Sequence, residues 1–415
     1  MATGGVTEAS APVPVRALTL GLAAEHPVAS SVIEGAARQV QGAARMVSEA
    51  GYSVQTVRLA MRPLLGGLRP SGGVPLLAGG SLGSYLDELH AVLTELGIEF
   101  CSLGPVPGEL APARAEALAD LVAPMPELNW SVMVASPGAG PDWEAALTAG
   151  RVMSRLARTT ERGLGNFNFA ATACVPPATP FFPAAYQGPG REPVLSIALQ
   201  GARIVAGALD ELRAHPGARR QLVPEAVSVC VRQAMELVAG PIVDLVRQAA
   251  GEAHLQFAGI DLSPAPDVDD SICGALETLG LGPFGGPGSL ALCAAVTTGI
   301  RSTALPTCGY NGLMLPVMED AVLAQRWGEG RFGLDQLLAW SAVCGTGLDT
   351  VPVPGETPAE ELALVVMDMA SLAARYSKPL SARLMPVPGA LAGDMADFGS
   401  PYLVRTLVKS VTPGP

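Results

Sequence analysis

Short β-branched runs alternate with amphipathic helical stretches from Val15 onward, and this alternation limits the possible folds more than any other feature of the chain. ALTLGLA reads as a strand, SSVIEGAARQVQGAARMVSEAGY as a helix with Gly51 at its end, and SVQTVRLAM as a second strand. VPLLAGG, IEFCSLGPV, WSVMVASP, FNFAATACV, VLSIALQG and LQFAGIDLS continue the series, separated by helices such as SYLDELHAVLTELG, DWEAALTAGRVMSRLART and ARIVAGALDELRAH. Repeated βα units imply parallel strands joined by right-handed crossovers. Only 15% of the 415 residues are charged and 49% are apolar, so the elements are expected to be buried on both sides. An α/β sheet or barrel satisfies that better than a helical bundle.

A net charge of −12 without any Lys/Arg cluster argues against nucleic acid as a partner. The seven cysteines (Cys101, Cys174, Cys230, Cys273, Cys293, Cys308, Cys344) are scattered and never spaced as CxxC, which reads as reduced thiols in a cytoplasmic protein. No apolar run reaches the roughly 18 residues of a membrane span, and the start lacks a basic region followed by an apolar one. Residues 1–14 are expected to be a disordered tail. With no linker and no short-period repeat after it, residues 15–415 are expected to form a single domain.

The C-terminal third breaks the regularity with GLGPFGGPGS, LPTCGYNGLMLP, CGTGLDTVPVPGE and RLMPVPGALAGD. Loops this long and this poor in charge are expected to fold inward and line a pocket. The densest charge lies in DLSPAPDVDDS, where Asp261, Asp267, Asp269 and Asp270 follow the strand LQFAGIDL. It is not an EF-hand loop, because Ile272 stands where Gly is required and Thr278 where the bidentate Glu is required. Asp270 or Ser271 can cap the helix SICGALETLG. The remaining carboxylates, packed together, would call for a shared proton or a hard cation, Mg²⁺ or Ca²⁺. His26, His90, His215 and His254 are isolated, so zinc is not expected, and neither are flavin, haem or a nucleotide.

Other candidates lie downstream. Cys344, in the turn CGTGLD, could be a nucleophile or acid with Thr346 and Asp349 beside it, or a buried structural thiol. Cys308 in TCGYNG has Tyr310 and Asn311 as possible donors. Asp394 and Asp397 could ion-pair with Arg383, or Asp394 could supply an acid/base group opposite Asp261. GGSLG formally matches a nucleophile elbow at Ser81, a serine-hydrolase reading, but a helix cap at Ser84 explains the stretch and no oxyanion motif precedes it. GLGNFN, GPFGGPGS and GTGLDT each lack part of a phosphate-loop pattern.

Together, GNFNFAATACVPPATPFFPAAYQ, FAGIDLSPAPD with DDSI, GLMLPVMEDA, CGTGLDTVPVPG and KPLSARLMPVPG followed by AGD resemble the "domain of unknown function 711" family. The resemblance runs from about residue 15 to the end. It implies a ten-stranded α/β barrel of the pyruvate formate-lyase type, with five parallel strands in each half, a loop such as TCGYNG or CGTGLD inserted inside, and homo-oligomers. Glycyl-radical chemistry is not implied, since no RVxGY-type segment lies near the C-terminus and Cys308 and Cys344 are not an adjacent pair.

The functional expectation is an enzyme acting on a small oxygenated or carboxylated metabolite by acid/base chemistry, of lyase, cyclase, isomerase or hydrolase type. Cys344, Asp349, Asp394 and Asp261 would be catalytic, and the four aspartates at 261, 267, 269 and 270 would hold the ion. Cys308, Tyr310, Asn311, Thr346 and Arg383 would bind substrate, with Arg383 or Arg375 anchoring its negative charge. The alternative is a metabolite-binding protein on the same barrel without chemistry.

Overall fold

The computed structural model describes residues 13–64, 82–107, 112–190, 192–214, 224–268 and 270–412. Most of the expected tail, the strand reading VPLLAGG, Ser81, His215 and Asp269 lie outside the described residues.

Ten strands form one large, mostly parallel sheet: β1 (Val15–Gly21), β2 (Val54–Ala60), β3 (Phe100–Val106), β4 (Leu128–Ser136), β5 (Gly140–Pro141), β6 (Phe169–Ala173), β7 (Val194–Leu199), β8 (Gln256–Asp261), β9 (Gly347–Pro354) and β10 (Leu380–Val387). The order is β8-β7-β1-β2-β3-β4-β6-β10-β9, with β5 paired to β4 off that path. Strands β1, β2, β3, β4 and β6 run parallel as one block of five. Antiparallel seams at β1/β7 and β6/β10 join this block to two parallel pairs, β7–β8 and β9–β10. One block thus contains five parallel strands, and the other four long strands run as two parallel pairs.

The edges of this path are not bare. The segment after helix Ser289–Arg301 makes an isolated parallel bridge to β8, Ile260 with Thr307, and another to β9, Asp349 with Pro316. The Ile260 amide donates to Pro306 O, the Cys308 amide to Ile260 O, and the Val317 amide to Asp349 O. LPTCGYNGLMLP thus runs between the two edge strands, where single bridges leave room for turns.

Strand residues alternate between two environments. Leu18, Leu20, Leu59, Trp130, Ile197 and Leu384 face the main hydrophobic core, with helix residues such as Ile33, Val40, Leu86, Val152 and Val366. Thr19, Arg58, Ser102, Asn129, Ser131, Ser196, Asp261, Asp349 and Arg383 are also buried but polar. Since successive strand side chains point to opposite faces, these polar residues share the other face. Both faces are covered, as the low charge content implied, yet one of them is not hydrophobic. A register shift in β1 opposite Leu199 and Ala198 lets Arg16 and Ala17 both leave the apolar face, which strict alternation would forbid.

The polar face is packed by chain. The segment 174–187 lies on it, with Thr19 Oγ donating to Pro180 O and Ser102 Oγ to Ala185 O. Phe181, Tyr310 and Met314 form a small apolar cluster there with Ala17, Ala198 and Ala265.

The 29-residue helix Pro224–Glu252 is long and apolar enough on average to cross a membrane, although Arg232, Glu236 and Asp244 interrupt its apolar run. Its Val231, Met235, Ile242 and Val246 are buried within the main core, alongside Val296 and Ile300 of helix Ser289–Arg301. One face is therefore packed on the core, while Val229 and Leu237 on the rest of the helix are exposed. Helix Leu82–Glu95 begins before Ser84, so this serine lies inside the first turn and not at the cap.

Candidate functional site

DLSPAPDVDDS folds into separate structural contacts. The fully buried Asp261 accepts at Oδ1 from the Ser263 amide (3.0 Å), Ser263 Oγ (2.7 Å) and the Asn311 amide (3.1 Å), and at Oδ2 from the Tyr310 amide (2.7 Å). Burial pushes its pKa up while these donors pull it back. The carboxylate pins TCGYNG to the end of β8. Gly309, at φ +79°, is required where the loop crosses it, because a Cβ would collide with Oδ2.

Asp267 is exposed and accepts from the Val268 amide at 2.7 Å. Asp270 ion-pairs with Arg203 at 3.1 Å. Among the described residues, no three His, Cys, Asp or Glu side chains converge as metal ligands. Of the described members of the expected set, Asp261 already accepts from protein donors at both oxygens and Asp270 has its own guanidinium, while Asp269 lies outside the described residues. The cap reading holds for Ser271, whose Oγ accepts from the Gly274 amide at 2.8 Å.

Of the thiol candidates, Cys344 is buried and Cys308 half-buried. Cys344 is 1% exposed in the main core, and burial raises its pKa despite nearby Lys378. The thiol at position 308 is likewise pushed up, by burial first and by Asp261 second. Asn311 is structural, accepting from the Leu262 amide and donating to Cys308 O. The Tyr310 hydroxyl donates to Ser381 Oγ at 3.1 Å, and Ser381 Oγ donates to Thr346 O. Thr346 Oγ is buried without a partner.

Asp394 is exposed and accepts from the Leu391 amide, in a surface hollow with Arg162 and Asp397. It does not meet Asp261. The pairing of Asp394 and Asp397 with Arg383 is also corrected, since Asp397 pairs with Arg162 and Arg405. Arg375 is exposed on the outer helix Ala359–Tyr376.

What the fold does bring together is a different set. Arg383 on β10 donates Nε to Asp349 Oδ1 of β9 (2.7 Å) and a terminal nitrogen to Glu319 Oε1 (2.5 Å), and lies 4.8 Å over the Phe167 ring. Glu319 Oε2 faces Arg16 at 3.3 Å, while Arg16 also donates to Gln200 Oε1 and Pro266 O. Burial raises the pKa of Glu319, the nearby Asp349 adds to the rise, and Arg383 and Arg16 oppose it. The adjacent Asp320 turns away, capping helix Ala321–Gly328 through the Leu323 amide and holding Ser271 Oγ and the Cys273 amide.

Arg58 on β2 completes the set. It is 7% exposed, donates Nε to Thr56 Oγ at 2.8 Å, and lies 4.6 Å from the Phe100 ring centre and 5.2 Å from that of Phe182. No carboxylate among the described residues pairs with its guanidinium. Burial, with Arg16 and Arg383 adding repulsion, lowers its pKa to about 9 against a weaker pull from Glu319. Arg16, Arg58, Glu319, Asp349 and Arg383 line one cavity of ≈ 240 Å³. This is smaller than the ~300–1,000 Å³ of drug-sized sites, so it suits a small polar group.

Sequence reasoning found Asp349 and Arg383 but missed Arg16, Arg58 and Glu319. The signal was present at Thr56/Arg58 and Ser381/Arg383, polar pairs at i and i+2 inside otherwise apolar strands. Glu319 lay within the quoted GLMLPVMEDA.

The family model "Uncharacterised ACR (DUF711)" matches residues 10–400. A UPF0210 protein of Pyrobaculum arsenaticum is 34% identical over 359 residues, covering 84% of this chain and 77% of its own. One from Pyrobaculum islandicum is 32% identical over 360 residues with the same coverage. One from Halothermothrix orenii is 33% identical over 279 residues, 65% of this chain and 60% of its own.

Proposed function

For a chain that belongs to the DUF711 family, we propose an enzyme that holds a small carboxylated metabolite on Arg58 and moves a proton with Glu319. The carrying observation is Arg58, a buried cation at a cavity wall that has no carboxylate partner among the described residues. A desolvated guanidinium costs free energy unless an anion approaches it, and its planar fork matches a carboxylate. Thr56 fixes the fork through Nε, leaving the terminal nitrogens for a ligand.

Glu319 has the properties of a general acid or base: burial, proximity to a second carboxylate, and two cations that steady its charged form. Asp349 and Arg383 position it. A proton shuttled next to an anchored carboxylate suits a lyase, isomerase or cyclase, and no step through a metal or a thiol is invoked. We also propose that the sheet closes into a barrel through LPTCGYNGLMLP, a reading supported by the two single-residue bridges at its edge strands. The cavity would then sit at one mouth of the barrel.

The competing reading is binding without turnover, favoured by the fact that Glu319 and Asp349 both already accept from Arg383. Two variants separate the cases. Small carboxylates such as acetate should raise the melting temperature of the wild type and lose at least tenfold in affinity for Arg58→Met, since a charged hydrogen bond contributes about 1.5–3 kcal/mol. An unchanged response in that variant would remove the cavity from the account. Once a turned-over substrate is found, Glu319→Gln should keep binding and lose kcat, whereas binding by the wild type with no turnover of any carboxylate favours the second reading.

A further inference from the structure

A second and larger hollow of ≈ 690 Å³ adjoins the arginine cavity. The two share Glu99, Phe100, Phe167 and Tyr402 as a common wall. Phe167 and Tyr402 stack with centroids 6.1 Å apart and planes 5° from parallel, which makes that wall flat and apolar. The floor of the larger hollow is core material, with Leu93 and Ile98 themselves buried, and Leu164 and Pro126 flank it. Among the described residues its lining carries Glu99, Glu127 and Glu161 but neither Arg nor Lys. Tyr402, at the junction, is 51% exposed.

The arginine cavity also carries Glu99, Asp267, Glu319 and Asp349, but Glu319 and Asp349 are taken up by Arg383 and Arg16, so Arg58 is the cation left for an anionic head. An alkyl or aryl arm gains by burial on Leu93, Ile98 and Leu164 and gains nothing beside these charges. We infer that the two hollows are one binding site and that its ligand is an amphipathic carboxylic acid, head on Arg58 and apolar arm in the groove beyond Phe167 and Tyr402. This rests on the reading that Arg58 receives an anion, and it deepens that reading by giving the ligand its second half.

The test is a chain-length series. Acetate, butanoate, hexanoate and octanoate would be titrated by ligand-observed NMR and calorimetry against wild type, Arg58→Met and Leu164→Glu. Once the chain clears the shared wall, affinity should rise about fourfold per added methylene, which is ~0.8 kcal/mol per buried CH₂ converted to a ratio. Leu164→Glu should flatten the rise, and Arg58→Met should weaken every member. If acetate binds through Arg58 but the series is flat, the groove inference fails and the anion reading stands. Octanoate that binds Arg58→Met as tightly as wild type overturns the inference, because the groove then acts alone. Octanoate affinity that falls as protein concentration rises also overturns it, assigning the groove to a second copy of the chain. If no acid binds at all, both readings fail.

Discussion

Asp261 and Glu319 are both buried carboxylates on the polar side of one sheet, and they differ in what surrounds them. Asp261 is closed off by three backbone amides and one hydroxyl, all within its own strand end and the TCGYNG loop. Glu319 meets two guanidinium groups from distant strands, beside a void and a third guanidinium without a partner acid. The first arrangement occupies both carboxylate oxygens with protein donors, and the second leaves a guanidinium without an acid among the described residues. Density of charge along the sequence points to a region whose described carboxylates already have partners, and unpaired charge at a cavity points to another.

Ways to break this contrast follow in order of effect. Arg383→Met strands two buried carboxylates and should lower stability by about 3–5 kcal/mol in denaturant titration. A loss below 1 kcal/mol would mean that Asp349 and Glu319 find other partners. Asp261→Asn replaces an acceptor by an amide facing N–H donors and should cost about 2 kcal/mol, with little change in carboxylate affinity. Its failure to destabilise would reopen Asp261 as a functional group.

A pH effect sets where the comparison must be made. His26, held between the Tyr85 hydroxyl and Arg62 O, has its pKa lowered by burial from 6.5 to about 4. A depressed folded value means a contribution fully present above 6.5 and lost as pH falls toward 4, about 1 kcal/mol by roughly pH 5.5. His26→Gln should reduce that slope, and an unchanged slope would show that His26 is not the group being charged.

The smallest predicted effect is the most informative. The pKa of Arg58 is depressed to about 9, so its stabilising contribution is lost as pH falls through 9 and the charged form is a net cost at pH 7. Arg58→Met should therefore melt no lower than wild type near neutrality.

Much of the scaffold was legible. Periodicity located seven of the strands and the principal helices, because local burial patterns belong to consecutive residues. Convergence was not legible. Arg16 reaches the cavity only because β1 carries an irregularity, Glu319 sits in a loop, and Arg58 and Arg383 come from strands more than 300 residues apart. No local pattern encodes that Asp349 turns toward Arg383 while Asp394 lies out on the surface.

The most direct measurement is a paired thermal melt at pH 7 of wild type, Arg58→Met and Asp261→Asn, each with and without saturating hexanoate. The account predicts that hexanoate stabilises wild type and the destabilised Asp261→Asn equally, and stabilises Arg58→Met less, its own melting temperature being at or above that of wild type. Stabilisation of Arg58→Met as large as that of wild type, or its loss in Asp261→Asn, would contradict the assignment of the site to the arginine cavity.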